Sequence, residues 1–289
     1  MPVSASLRGR VPGQVAIRDI VAAQRAVRPR SFAARFFGVS PLTSATRGLY
    51  RAALGEVVVG EMLDQLGPQW DVLHVVPIAD SGVDDDAVLR EGTLLEGTLL
   101  EGSAKQIDHL VIGPPGVFAV TTENYPGQEV RVSGETLTIA GRAVDDIETA
   151  RHLAARAADR LGSAAGKAVR VEPIIVVVGS TKLVAREQPS GVTIVDSRHL
   201  VRLLTKIDRS LAGAQVAYIS DVADRDSTWE ATPTRPDEAL QLDREFAALR
   251  NQVQDATQAR VIWGVLSFVL ICSAAWIGTV MIVENLLGH

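Results

Sequence analysis

Cysteine is almost absent from this chain. Its one occurrence, Cys272, excludes an internal disulfide framework and a cysteine-ligated zinc site. It lies within an apolar run, where it reads as a small hydrophobe. The first fifty residues lack the uninterrupted apolar stretch of about 7–15 residues that a secretory signal needs. The five histidines (His74, His109, His152, His199 and His289) show no metal spacing such as H-x-x-x-H. A glycine-rich phosphate loop and a nucleophile elbow are both missing, so nucleotide-cradle and serine-hydrolase chemistry have no support. Acid is scarce near the start. Residues 1–51 hold nine arginines and one acid, Asp19, for a net +8, and since the whole chain carries −5 the rest carries −13.

What is present suits one or two domains. With 289 residues, 47% hydrophobic and 22% charged, there is room for a substantial core. Residues 1–45 read as a basic arm. Phe32, Phe36 and Phe37 interleave with arginine there, a composition that binds phosphates on anionic lipid or on nucleic acid. The plain alternative is an arm that is solvated or folds back on the acidic body. Residues 46–220 read as an α/β domain. Thr46 to Leu66 is a helix with Leu54, Val58, Met62 and Leu66 at helical spacing, and Glu56 at the edge of its apolar stripe. Trp70 to Ile78 is a strand. Ala79 to Ser103 is a loop carrying Asp84-Asp85-Asp86 and the tandem repeat EGTLL-EGTLL.

Gln106 to Tyr125 reads as strand, tight turn at Gly113-Pro114-Pro115-Gly116, and strand. Strand alternation puts Gln106 and Asp108 on one face, Ile107 and His109 on the other, and Thr121 with Glu123. A carboxylate buried in such a hairpin costs several kcal/mol unless it has partners, roughly. An ion pair or a divalent-metal site would supply them. Two short strands follow, Gln128 to Val132 and Glu135 to Ile139. Then come a helix from Asp145 to Leu161, a strand at Pro173 to Val178 buried on both faces, a strand at Gly191 to Val195, and a helix from Ser197 to Ile207 capped by Ser197. Val216 to Ile219 is expected to add an edge strand.

Residues 221–236 read as a polar linker. Residues 237–260 form a juxtamembrane helix whose apolar positions, Ala239, Leu242, Phe246, Leu249, Val253 and Ala256, recur at 3-4-3-4-3 spacing. That seam suits a homodimer through Ala239–Ala256, or packing on the chain's own domain. Residues 261–284 read as a transmembrane helix, because Val261 to Val283 is uncharged and long enough to span a bilayer. Trp263 stands where an interface anchor belongs. Arg244, Arg250 and Arg260 precede the run, which predicts a single-pass protein of the cell membrane with its main domain in the cytoplasm.

From about residue 47 to 205 the chain resembles the nuclease-related domain (NERD), a branch of the restriction-endonuclease-like PD-(D/E)xK fold. The resemblance rests on Gly55-Glu56 with Val59, Leu63 and Leu66, on Gly67 to Val72, and on Gln106 to Val111 with Gly113 to Val120. Asn124-Tyr125, Gly127, Ile174 to Val178 and the VTIVDSRHLVRLL segment extend it. It implies an α/β fold, a restriction-endonuclease-like mixed sheet flanked by helices. It also implies phosphodiester hydrolysis: an acid on the first hairpin strand and a Glu-x-Lys on the second hold Mg²⁺ and position water, helped by a Glu on the first helix. Magnesium takes hard oxygen ligands and acidifies bound water.

Asp108 matches the first acid and Glu56 the helix acid, but the Glu-x-Lys position reads Thr121-Thr122-Glu123. Thr121 replaces the usual acid. Glu123 replaces the lysine and reverses its charge. Lys105 falls on the opposite strand face from Asp108 and does not substitute. In the following helix Glu148-Thr149-Ala150-Arg151 stands where the family has a glutamine. The implied catalytic set is therefore Glu56, Asp108 and Glu123, with Asp108 and Glu123 as metal ligands and Mg²⁺ as cofactor if the site is competent. Loss of the lysine favours a membrane-anchored binding or scaffold module for nucleic acid or protein. The alternative is an active Mg-dependent nuclease.

Overall fold

The computed structural model describes residues 6–78, 106–229 and 236–287. The acidic loop and its EGTLL repeat lie outside them. Two short helices, α1 (Gln14–Arg25) and α2 (Phe32–Phe36), precede a long one, α3 (Ser44–Leu63). A capping box starts α3: Thr43 Oγ1 accepts the Thr46 N–H at 3.2 Å, and Thr46 Oγ1 accepts the Thr43 N–H at 3.0 Å. The helix therefore begins two residues before the apolar stripe suggests.

The central sheet has five strands in the order β1 (Asp71–Pro77), β2 (Gln106–Gly113), β3 (Gly116–Asn124), β7 (Val171–Val178) and β9 (Thr193–Asp196). The first three run antiparallel, and β3, β7 and β9 are parallel. A second sheet, order β6-β5-β4-β8, is built from β4 (Glu129–Ser133), β5 (Thr136–Ile139), β6 (Arg142–Val144) and β8 (Lys182–Glu187). The sequence shows its first hairpin but not the sheet, because β8 is short, polar and exposed and pairs with β4 from far along the chain.

Helices cover both faces of the central sheet, so its strands are apolar on both sides. On one face Val59 and Leu63 of α3 pack with Val111, Phe118, Val120, Ile174 and Val176, closed by Leu200 and Leu204 of α5 (Leu200–Lys206). On the other, Leu153, Ala157 and Leu161 of α4 (Asp146–Ala165) meet Leu73, Leu110, Ile112 and Ala119. This outcome is a mixed α/β fold.

Several expectations change here. Val216 to Ile219 is no edge strand; it belongs to α6 (Gly213–Ala223), where Val216, Ile219, Val222 and Ala223 line one buried face at helical spacing. Residues 221–229 are not linker. Helix α6 runs into α7 (Asp226–Trp229), and the Trp229 indole is fully buried, donating to the Ala223 carbonyl at 2.7 Å. The cap before Arg198 is Asp196, whose carboxylate accepts the Arg198 N–H at 3.0 Å, not Ser197. The first forty-five residues do not stay apart from the body either. Leu7 is buried beneath the sheet, and Ile17, Ile20 and Val21 of α1 pack on Leu49, Tyr50 and Ala53 of α3.

The C-terminal segment is one continuous helix, α8 (Pro236–Leu287). Its seam is covered: Leu242, Phe246 and Leu249 bury against α1 and α3, and Phe246 lies 5.8 Å from the Tyr50 ring. The seam cannot also serve the homodimer expected through Ala239–Ala256, because its own domain occupies it. Beyond Trp263 the helix stands clear, with Leu266, Phe268, Leu270, Ile271 and Trp276 exposed. By length and composition it is the one helix among the described residues suited to cross a membrane.

Candidate functional site

The hairpin β2–β3 opens where the chemistry is expected. Its ladder ends at the pair His109–Val120, and past that point β3 pairs only with β7. Asp108 fills the fork. Its Oδ2 accepts the Thr122 N–H at 2.7 Å, standing in for the missing strand. Opposite it on β1, Val75 takes a left-handed φ of +54°. Strict alternation breaks there. Ile107 joins Leu110 and Ile112 on the α4 face, while His109 reaches α3, its Cε1 3.6 Å from where a Cβ on Gly60 would stand.

Helix α3 comes close to the opened strand. A Cβ on Gly55 would stand 3.0 Å from the Asn124 Cβ and 3.2 Å from Thr122 Cγ2, so glycine is what allows the approach. Asn124 locks it by donating to the Arg51 carbonyl at 2.8 Å. Thr122 and Asn124 thus face α3, and Thr121 and Glu123 face the other way. Glu123 meets the start of α4, where the Tyr125 hydroxyl lies 3.0 Å from Glu123 Oε2 and 2.9 Å from Asp146 Oδ2. A phenol has one proton to give, so only one of these carboxylates can receive it. The other must carry a proton of its own to bond the phenol oxygen.

The four acids share one electrostatic situation. Burial pushes Asp108 up to about 7, opposed by its bonds from Thr122. Glu56 is raised well above the ordinary carboxylate range by burial, then by Asp108 and Glu123. Its Oε2 is buried and accepts no hydrogen bond. Glu123 is raised by burial and by Asp146, and Asp146 by burial. Tyr125 is raised by burial and its two carboxylates. Unpaired charge in a low-dielectric interior is neutralised by taking up protons.

The expected site residues are therefore only partly gathered. Glu56 and Asp108 share the α3 side of the fork. Glu123 bonds through Tyr125 to Asp146, and it is still close enough to raise Glu56 and to be raised by Asp108. Thr121 Oγ1 is turned to the Ile174 carbonyl, 3.5 Å away. Among the described residues no three of His, Cys, Asp and Glu converge as metal ligands. As they stand, these side chains do not fit the Mg²⁺ centre that the resemblance implies.

Sequence reading missed two features. Tyr125 and Asp146 become partners only when α4 folds back on β3, and nothing in their spacing announces it. His74 and His109 face each other across β1–β2 with their Nδ1 atoms 2.8 Å apart, and burial lowers both, His74 to about 4. One ring donates and one accepts, so this is a neutral, structural pair. His109 is accordingly a core-facing strand residue.

A mixed sheet, helices on both faces, and an acid at the fork of a central hairpin define an α/β domain. Residues 51–178 match the family model of the nuclease-related domain. The match ends where β7 ends, so it contains α3 from Arg51 on, the fork and α4. No curated protein and no solved structure matches the chain.

Proposed function

We propose that this is a membrane-tethered nuclease-related-domain protein whose catalytic position has become a proton-holding acid cluster, so that the domain binds or scaffolds nucleic acid or protein rather than hydrolysing it. The observation that carries this is Glu123. At the position where the resemblance calls for lysine, a carboxylate is tied through Tyr125 to Asp146. A hydrolase needs positive charge where the phosphoryl group gains negative charge. Here the nearest groups are Glu56, Asp108, Glu123 and Asp146. The uncharged run of α8 is the tether, and Arg244, Arg250 and Arg260 on its body side favour a cytoplasmic domain.

One observation favours the competing reading, an Mg-dependent nuclease using Glu56, Asp108 and Glu123. The Glu56 Oε2 is buried and without a partner, and a divalent cation would satisfy it. Calorimetric titration of the full chain in detergent with Mg²⁺ and Mn²⁺, beside Asp108→Ala, separates the two. The scaffold reading expects no saturable binding and no nucleic-acid cleavage. Cleavage that needs the metal and disappears in Asp108→Ala would overturn it.

A further inference from the structure

Three of the six phenylalanines, Phe32, Phe36 and Phe37, lie on α2 and the residue after it, and all are exposed, Phe32 by 84%. Such a patch is costly in water and signals a partner. The rings are held as a unit. Phe32 stacks on Phe36 at 6.4 Å, and Phe36 and Phe37 meet the Trp263 ring at 5.0 and 5.2 Å. The Trp263 indole N–H donates to the Phe36 carbonyl at 2.8 Å. Gly38 seals the contact: at φ +71°, a Cβ there would meet the Ala256 carbonyl at 2.6 Å and the Arg260 nitrogen at 2.7 Å. Any side chain at 38 would push α2 off α8.

The position of this patch identifies its partner. Trp263 is the third residue of the uncharged run, at the level where α8 leaves the body and its exposed apolar stretch begins. The phenylalanines therefore stand beside the point of membrane entry, continuous with the apolar surface of the span. Behind them is a cleft of about 340 Å³ lined by Arg25, Arg28, Arg30 and Arg35. Arg25 is paired with Glu245 at 2.7 Å. Arg30 donates to the Val39 carbonyl and to Gln252; burial lowers its pKa, neighbouring Arg35 adds to this, and Asp255 opposes it. Among the described residues Arg28 and Arg35 form no ion pair. Phosphate is the anion that an arginine cluster at a bilayer surface meets.

We propose that Phe32, Phe36 and Phe37, together with Trp263, seat α2 in the interfacial layer of an anionic leaflet, with Arg28, Arg30 and Arg35 taking lipid phosphates in the cleft behind. This rests on α8 being the membrane span. The contact fixes the body against the bilayer rather than leaving it to swing on a single helix.

The test places an environment-sensitive dye at position 32 (Phe32→Cys, Cys272→Ser) or, separately, at position 276 (Trp276→Cys, Cys272→Ser), in full-length protein reconstituted into vesicles of phosphatidylcholine with or without phosphatidylglycerol. The dye at 32 should be blue-shifted and quenched by doxyl groups near the lipid headgroup, more strongly with phosphatidylglycerol. Combined Arg28→Gln, Arg30→Gln and Arg35→Gln should remove that increment while leaving quenching at 276 unchanged. A dye at 32 that stays open to aqueous iodide, with 276 still quenched by lipid, overturns the seat and leaves the span standing. Loss of lipid quenching at 276 as well overturns both.

Discussion

Asp108 shows how one side chain can close a fork and carry a liability. Its carboxylate replaces a strand for the Thr122 N–H, yet burial lifts it to about 7. The folded state then keeps a proton that the unfolded chain has released by about pH 4. The stability linked to it is present below the unfolded pKa and declines as pH rises toward about 7. Glu56 and Glu123 are raised in the same sense, so the decline should be steep. Asp108→Asn keeps an acceptor for Thr122 but cannot ionise. Unfolding free energies from urea titration at about pH 4.5 and about pH 8 should differ less in this variant than in the parent, by about 3 kcal/mol. An equal fall in both proteins would mean that Asp108 is not held protonated. The family resemblance identified Asp108 and Glu56 from local motifs. It also led to Glu123 as a second ligand, a residue that the fold of α4 onto β3 places beside Tyr125 and Asp146.

At the scale of elements, α8 decides how the apolar run meets the body. A seam at 3-4-3-4-3 spacing marks an apolar stripe but does not say what covers it. The same residues would serve a second copy or the chain's own helices equally well, because the hydrophobic effect is non-directional. Here α1 and α3 cover it. Phe246→Ala should therefore destabilise the single chain by about 3–5 kcal/mol. The loss should be the same across about a tenfold range of protein concentration, since no association is linked to it. A loss that shrinks as concentration rises would restore the dimer seam. The edge-strand expectation at Val216 failed for a similar reason. Four residues are too few to separate a two-residue from a 3.6-residue period, and the wider set with Val222 and Ala223 reads as helix.

Across the whole molecule, the apolar run and the body form one piece through α8, and the sole cysteine offers a probe of whether that run spans a membrane. Cys272 lies eleven residues beyond Val261. At about 1.5 Å per residue that is some 16 Å, near the middle of a hydrocarbon core of about 30 Å. In intact proteoliposomes a membrane-impermeant maleimide should leave it unmodified from either side. It should react once the bilayer is dissolved and the chain unfolded. Rapid labelling in the intact vesicles would rule out a span centred there.

The sequence by itself determined the parts whose physics is local. A 23-residue uncharged run is long enough for a bilayer whatever surrounds it. An apolar strand such as Ile174 to Val178 announces burial on both faces, and glycine and proline punctuation marks the hairpin turn. Tertiary structure alone decided which surfaces meet. It folded the basic start of the chain into the body through Leu7 and α1. It spent the α8 seam on α1 and α3, and it brought α2 beside Trp263. It tied Glu123 through Tyr125 to Asp146. Each outcome depends on contacts between residues far apart in the chain. Periodicity and composition carry no information about such pairings, because they record the face a segment must bury and not the surface against which it is buried.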